Sequence, residues 1–471
     1  MVSLSPSGTE ASAGASRTAP RADAFYFAAW RWHFYAGLFV IPFLTMLAVT
    51  GGIMMIYAGV GNELGQAPAV AVTGDVLPVS RQAEAAIAAM PGASLDAYVA
   101  PEAASRPSYF TFTQGDASLS VAVDPHTAAV LAVTDTGKTL RGIAETIHGT
   151  LFLGTFGDRL IEIAASLGMV LLATGLCLWW PRGRGLGAAL VPRLSARGRG
   201  FWKELHATAG IWMSVTLFVF LLTGLSWTGI WGDRFVQPWA SFPASKWDDV
   251  PLSDLTHRDL NTGVLHEVPW GIEKTPLPAS GSTAGTPGVT GPVSLDSVTD
   301  WALGQGFARQ FRVAVPQSDT GVYTVSIDGR NEDGGSPADD RFVHIDRYTG
   351  KVLADVRVAD YPLVGQGMAW GVALHKGMAG TWNFVLNLVA LALILLVCVS
   401  GVVMWWKRRP AGAGRLAAPP MPRDLPFWKG AVLVGLLVSF AFPLAGLTIL
   451  AVLALDVLVL ARVPAMKRLV S

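Results

Sequence analysis

Apolar positions along this chain gather into long unbroken runs rather than the short stripes of a soluble core. Runs near 34–57, 160–180, 208–231 and 383–406 are each long enough to cross a bilayer, which takes about 20 apolar residues of helix. A further stretch, 430–461, is broken at Phe442-Pro443 and followed by Ala445-Gly446. It is too long for one untilted span and predicts a tight hairpin of two short helices. Between the runs the period changes. "SRQAEAAIAAM" predicts a helix with Ser80 as its N-cap, and "SYFTFTQG" and "SLSVAVDPHTAAVLAV" alternate as strands do. The second long polar segment repeats this order: "SLDSVTDWALGQG", then "FRVAVPQ", "VYTVSIDG" and "RFVHIDRYTGKVLADV". The turn "DPHT" at Asp124 corresponds to "DRYTG" at Asp346, each a tight turn between alternating runs. "PLPASGSTAGTPGVTGP" from Pro276 reads as a flexible inserted loop.

Composition agrees: of 471 residues 51% are hydrophobic, 17 are Trp, and only 15% are charged, against a soluble norm of about 25%. Lys and Arg crowd the short loops, with Arg182, Arg184, Arg193, Arg197, Arg199 and Lys203 in one and Lys407, Arg408, Arg409, Arg415, Arg423 and Lys429 in the other. That bias predicts both loops, and both termini, on the cytoplasmic side. The expected organisation is a cytoplasmic tail (1–24, disordered), a first span (25–57), an outside domain (58–147) and a second span (148–180). A cytoplasmic loop (181–204), a third span (205–231), a second outside domain with an insertion (232–374) and a fourth span (375–406) follow. A second loop (407–427), the hairpin (428–461) and a cytoplasmic tail (462–471) complete it. Net charge near +1 indicates no nucleic-acid partner. Cys177 and Cys398 both fall inside spans and suggest neither a disulfide nor a redox pair.

The chain is internally duplicated. "WRWHFYAG" from Trp30 matches "WKELHATAG" from Trp202, and each histidine is followed 17 residues on by a Thr-Gly pair, His33 by Thr50-Gly51 and His206 by Thr223-Gly224. "IHGTLFLGTFG" and "LHKGMAGTW" each precede a span that ends in paired tryptophans and basic residues, "LCLWWPRGR" and "VVMWWKRRP". Each repeat is helix, outside domain, helix. His33 and His206 then lie at the cytoplasmic face and His148 and His375 at the outer face, two per face on different helices. Neutral imidazole has a free ring nitrogen near pH 7, and two facing rings can clamp a flat metal cofactor. Gly37 and Gly210, one turn beyond His33 and His206, remove bulk on the same helix face. Duplication would also copy a merely structural histidine, and a copper or zinc pathway is the rival ligand reading, although no Cys, Met or carboxylate cluster accompanies the pairs. His126, His257, His266 and His344 sit in the outside domains and are expected to be unpaired. The paired tryptophans Trp179, Trp180, Trp405 and Trp406 read as an interfacial belt.

His148 poses a geometric problem. It precedes Trp180 by 32 residues, about 48 Å of helix against a hydrocarbon core of about 30 Å, and Asp158, Arg159, Glu162, Asn383 and Asn387 intervene in the two repeats. His148 and His375 therefore belong on an extension or on a short segment bent back, and a cofactor there should be the more exposed one.

These features resemble the PepSY-associated transmembrane helix proteins, often called iron-regulated membrane proteins, which include bacterial ferric-siderophore reductases. The resemblance rests on the "WH" and "LH" helix openings, mid-span "TG", "WWPR", "VDPHT", "IDRYTG" and "HEVPWGIEKTPLPAS". It implies a membrane-embedded all-α bundle of four core helices plus the C-terminal hairpin, carrying two periplasmic α+β PepSY-like domains, in the bacterial inner membrane. It also implies two b-type haems, with His33, His206, His148 and His375 as axial ligands. The expected activity is oxidoreductase: electrons pass from a separate cytoplasmic donor to a periplasmic acceptor, a ferric siderophore, with "HEVPWGIEKTPLP" around Trp270, including Glu267, Glu273 and Lys274, as a candidate wall of the acceptor site. The alternative is a non-redox, membrane-anchored binding or regulatory protein, or a metal-transport accessory protein.

Overall fold

The computed structural model describes residues 21–60, 68–181, 185–240, 249–261, 268, 272–307, 310–327, 336–409, 419 and 428–455. A first long helix α1 (Arg21–Val60) leads to α2 (Val79–Ala89) and four strands, β1 (Ser94–Val99), β2 (Ser108–Gln114), β3 (Ala117–Val123) and β4 (Val130–Asp135). Short α3 (Leu140–Thr150) and long α4 (Gly154–Trp179) return, followed by α5 (Leu186–Ala189), long α6 (Arg199–Leu225) and α7 (Trp231–Phe235). The second polar segment contains β5 (Leu252–Thr256), β6 (Pro276–Pro278), α8 (Leu295–Gly304), β7 (Arg312–Ala314), β8 (Val322–Ile327), β9 (Arg341–Asp346) and β10 (Val352–Arg357). Short α9 (Leu363–Lys376), long α10 (Thr381–Arg408), α11 (Trp428–Ala441) and α12 (Pro443–Leu455) complete the described chain.

Among the described residues four helices are long and apolar enough to cross a membrane: Phe25–Gly59 within α1, then α4, α6 and α10. They pack as a bundle whose buried face carries Ala48, Ala165, Met213, Leu217, Leu221 and Ile394. The expected break at Phe442-Pro443 divides α11 from α12, and the two turn so sharply that a Cβ at Gly446 would overlap Ser439. Trp231 Nε1 donates to the Ala441 carbonyl at 2.9 Å and ties α11 to α7.

The two long polar segments are built alike but share one sheet. Its order is β10-β9-β8-β7-β1-β2-β3-β4, joined where β1 pairs antiparallel with β7 (Tyr98 opposite Val313). One core serves both halves, from Phe110, Phe112 and Val121 to Val313, Val343 and Ile345. The helices α2 and α8 lie together on that face, with Asp296 accepting from the Ser80 amide at 2.8 Å. Ser80 is therefore not the N-cap: α2 starts at Val79 behind Pro78, with no side-chain cap. The matched turns use one device. Asp124 accepts from the His126 and Thr127 amides, and Asp346 from those of Tyr348 and Thr349.

The Gly-rich insertion departs from expectation. It packs along the sheet edge, where Thr286 bridges Val352 and Gly281 donates to Asp346 at 2.7 Å. A Cβ at Gly285 would lie 2.6 Å from the Val352 carbonyl oxygen. These glycines permit close backbone approach rather than looseness.

Candidate functional site

Helices α3 and α9 resolve the problem of His148 and His375. Each is a separate short helix bent back against the bundle, α3 on α1 and α9 on α6. The chain reverses through Leu151 and Phe152, both at positive φ, in the first repeat, and through Gly377 and Gly380 in the second. The polar residues that looked misplaced in the spans fix these reversals and the turn after α6. Asn387 Nδ2 donates to the Leu374 carbonyl at 2.7 Å and to that of His375 at 3.3 Å, while Asn383 Nδ2 also reaches Leu374. In the first repeat Gly157 does the corresponding work by allowing contact: a Cβ there would overlap the Thr150 carbonyl oxygen. Glu162, 1% exposed, accepts from the amides of Ile230 and Trp231, and Asp158 from that of Gly229. A buried carboxylate at the N-terminus of α7 satisfies amides that otherwise lack partners.

The four candidate histidines meet in two pairs. His33 and His206 have ring centres 6.3 Å apart with planes at 86°; His148 and His375 are 6.5 Å apart at 88°. Each pair takes one ring from each repeat. The two levels are set by α1, where Thr50, the partner of His148, follows His33 by 17 residues, about 25 Å of rise. All four side chains are half-buried, so these side chains do not show the greater exposure expected at the second pair.

Each ring rests on a hydroxyl-glycine pair of a neighbouring helix in its own repeat. His33 Nδ1 meets Thr174 Oγ1 at 3.0 Å, His148 Nδ1 meets Thr50 at 2.8 Å, and His375 Nδ1 meets Thr223 at 2.7 Å. His206 Nδ1 meets Ser400 Oγ at 3.0 Å and the Val397 carbonyl at 3.1 Å. The glycine following each hydroxyl residue lets the ring lie against the helix. A Cβ added at Gly175, Gly51, Gly224 or Gly401 would sit 3.2, 3.4, 3.6 or 3.5 Å from Cε1 of the same ring.

These contacts fix the tautomer. A hydroxyl has one proton to give, and Thr174, Thr50 and Thr223 each place it on the carbonyl four residues back, at 2.7, 2.8 and 2.6 Å. Their oxygens then accept from Nδ1–H. For His206 the Val397 carbonyl, which can only accept, requires the same tautomer. All four rings thus carry the proton on Nδ1 and present an unprotonated Nε2, the state in which histidine ligates metals. Thr174-Gly175 and Ser400-Gly401 went unread in the sequence, although each stands five residues before a tryptophan pair.

The first pair opens on a cavity of about 610 Å³. Gly37 and Gly210 line it as expected, with Gly168, Gly175 and Gly401. Trp179 and Trp405 line it too, while Trp180 and Trp406 are 62% and 66% exposed. Only the second tryptophan of each pair faces outward as a belt residue should.

Two of the other histidines depart from expectation. His257 and His344 do pair: both are fully buried, with Nε2 to Nε2 at 2.9 Å. His257 Nδ1 lies 2.7 Å from the Thr275 carbonyl, and His344 Nδ1 lies 2.9 Å from Thr324 Oγ1. The carbonyl requires Nδ1–H on His257, so its Nε2 accepts from His344 Nε2–H and His344 Nδ1 accepts from Thr324. The chain of donors is complete with both rings neutral. Burial holds His257 down to about 4; burial first, and then the neighbouring ring, hold His344 well below the ordinary histidine value. Unfolded histidine titrates near 6.5, so the contribution is whole above that pH and is lost as pH falls towards 4, by about 1.4 kcal/mol per pH unit per group. Thermal unfolding of the full chain should therefore weaken between pH 6.5 and 4, and His257→Gln should flatten that dependence. An unchanged slope in the variant would contradict a neutral pair.

His126 stands apart, its ring near the Ala104 carbonyl at 3.2 Å. His266, Glu267 and Trp270 lie outside the described residues. Glu273 is 2% exposed and pairs with Arg258 at 3.3 Å, while Lys274 beside it is exposed. Among the described residues no group of three or more His, Cys, Asp or Glu could hold a metal ion.

No curated protein matches the chain. The family model described as the PepSY-associated TM region matches residues 30–408, which include both histidine pairs, all four hydroxyl-glycine pairs and the shared sheet. The chain belongs to the PepSY-associated TM region family.

Proposed function

We propose that this chain is a transmembrane electron-transfer protein that binds two b-type haems, one between His33 and His206 and one between His148 and His375. The carrying observation is the separation of the rings. An imidazole nitrogen sits about 2 Å from a first-row metal and about 1.2 Å from its own ring centre, so two rings on opposite sides of one ion have centres about 6.4 Å apart. The pairs stand at 6.3 and 6.5 Å with Nε2 unprotonated on all four rings. Bound haem would supply reversible one-electron chemistry, Fe(III) to Fe(II).

The chain's own residues hold and shield. Nδ1–H bonds to Thr174, Thr50, Thr223 and Ser400 fix ring rotation and raise ligand basicity, and the lining glycines leave room for a flat group. On this reading the basic loops, residues 181–204 and 407–427, face the cytoplasm at a bacterial inner membrane, as their Lys and Arg content favours, where a separate donor gives up the electron, and the shared sheet faces the periplasm. There the acceptor on this reading is a ferric siderophore: one electron converts its iron(III) to iron(II), which hard oxygen donors hold less tightly.

The test uses vesicles with the chain inserted and a reductant sealed inside. After reduction, external ferric siderophore should reoxidise the chromophore and release iron(II) to an external chelator. Reduced protein left untouched by external ferric chelates of several types would contradict the acceptor assignment.

A further inference from the structure

Apart from its two histidines, the cavity of the first pair is lined mainly by apolar side chains, and its cations come from the start of α6 and the end of α10. There Arg199 and Lys203 of α6 and Arg408 of α10 line it. Lys203 and Arg199 precede His206 by 3 and 7 residues, which puts all three on one helix face. Arg199 is thereby displaced about 10 Å along the axis from the imidazole, comparable with the reach of a propionate arm from the centre of a haem. Arg408 is held in place by aromatic rings, its guanidinium carbon 5.4 Å from the Trp30 ring centre and 4.9 Å from that of Phe34, residues that flank His33 on α1. Glu204, next to Lys203 in the chain, is engaged by Arg193 at 2.6 Å. Among the described residues lining the cavity there is no Asp or Glu. Three cations lining one end of a largely apolar cavity make that end suited to an anion, and Arg is suited to carboxylates by its paired donors.

Resting on the haem reading above, we propose that Arg199, Lys203 and Arg408 form a carboxylate-recognition site that orients the haem of the first pair with both propionates towards the mouth lined by these residues. The histidines fix where the iron sits; these cations fix which way the ring faces.

Full-length His148→Ala protein, made in haem-limited cells so that only the first pair can load, is titrated in detergent with haemin and with haemin dimethyl ester, whose carboxylates are capped. The Soret band reports binding. Haemin should bind about ten-fold or more tightly than the ester, as charge-assisted hydrogen bonds require. In the Arg199→Gln/Lys203→Gln/Arg408→Gln variant that preference should collapse to about two-fold or less through weaker haemin binding, with ester affinity unchanged. Equal binding of both ligands by the parent, or an undiminished preference in the variant, overturns the recognition site while leaving the haem reading intact. Binding of neither ligand by the parent overturns both.

Discussion

His33→Ala and His206→Ala are each expected to remove one haem and leave the other, while His148→Ala and His375→Ala remove the complementary one. Each pair takes one ring from each repeat, with centres 6.3 or 6.5 Å apart, so either partner of a pair is indispensable and neither can be replaced from the other level, about 25 Å away along α1. Haem content should fall by about half in every single variant, and combining His33→Ala with His206→Ala should cost no more than either alone. Combining His33→Ala with His148→Ala should abolish haem. Thr223→Val tests the layer behind the ligands: it deletes the acceptor for His375 Nδ1–H and should weaken haem retention at the second pair by about 10- to 100-fold, leaving the first pair untouched. If His33→Ala and His148→Ala affected the same haem, the pairing would be wrong.

The second large effect is expected at Gly157. The reversal between α3 and α4 brings the Thr150 carbonyl oxygen onto the α-carbon of Gly157, and the methyl group of Gly157→Ala has no space there. Because the obstacle is backbone and not a side-chain tip, α3 must move away from α4 and carry His148 with it. Loss of the second-pair haem should follow, with the first-pair haem retained. Gly149→Ala is the control: it lies beside His148, yet a Cβ there meets nothing within 4 Å. Pyridine haemochrome assays on the two variants check this. Full haem content in Gly157→Ala would show that the reversal does not position His148.

Much of this architecture was legible in the sequence because membrane spans and duplications leave long signals. Four apolar runs gave the four long helices, and Phe442-Pro443 gave the break between α11 and α12. The four histidines were found because duplication put each at a repeated position. Of their supports, Thr50-Gly51 and Thr223-Gly224 stood out as repeated pairs but not in that role, since each hydroxyl-glycine pair acts across helices, as Thr174 does on His33 from 141 residues away. A Thr-Gly within a span looks like ordinary helix-packing material until its neighbour is known. The joining of the two sheets was equally hidden: β1 and β7 pair over more than 200 residues, and an edge strand that will be covered reads like one that will not. His344 was misread for a related reason. It lies on the face of β9 opposite Val343 and Ile345, which alternation assigns to solvent, but segments of the second polar region cover that face and bring His257 with them. Gly and Pro content made the insertion look loose, although the same absence of a Cβ is what lets it pack at Val352.

The most direct test of the central claim is the spectrum of the intact chain purified from haem-replete cells. Two haems per chain are predicted, both low-spin with two imidazole ligands. With ring planes at 86° and 88°, the iron orbitals that meet the rings are nearly degenerate, so electron paramagnetic resonance of the oxidised protein should show strongly anisotropic low-spin signals. Protein that emerges without haem, or with one haem that survives loss of all four histidines, would contradict the account.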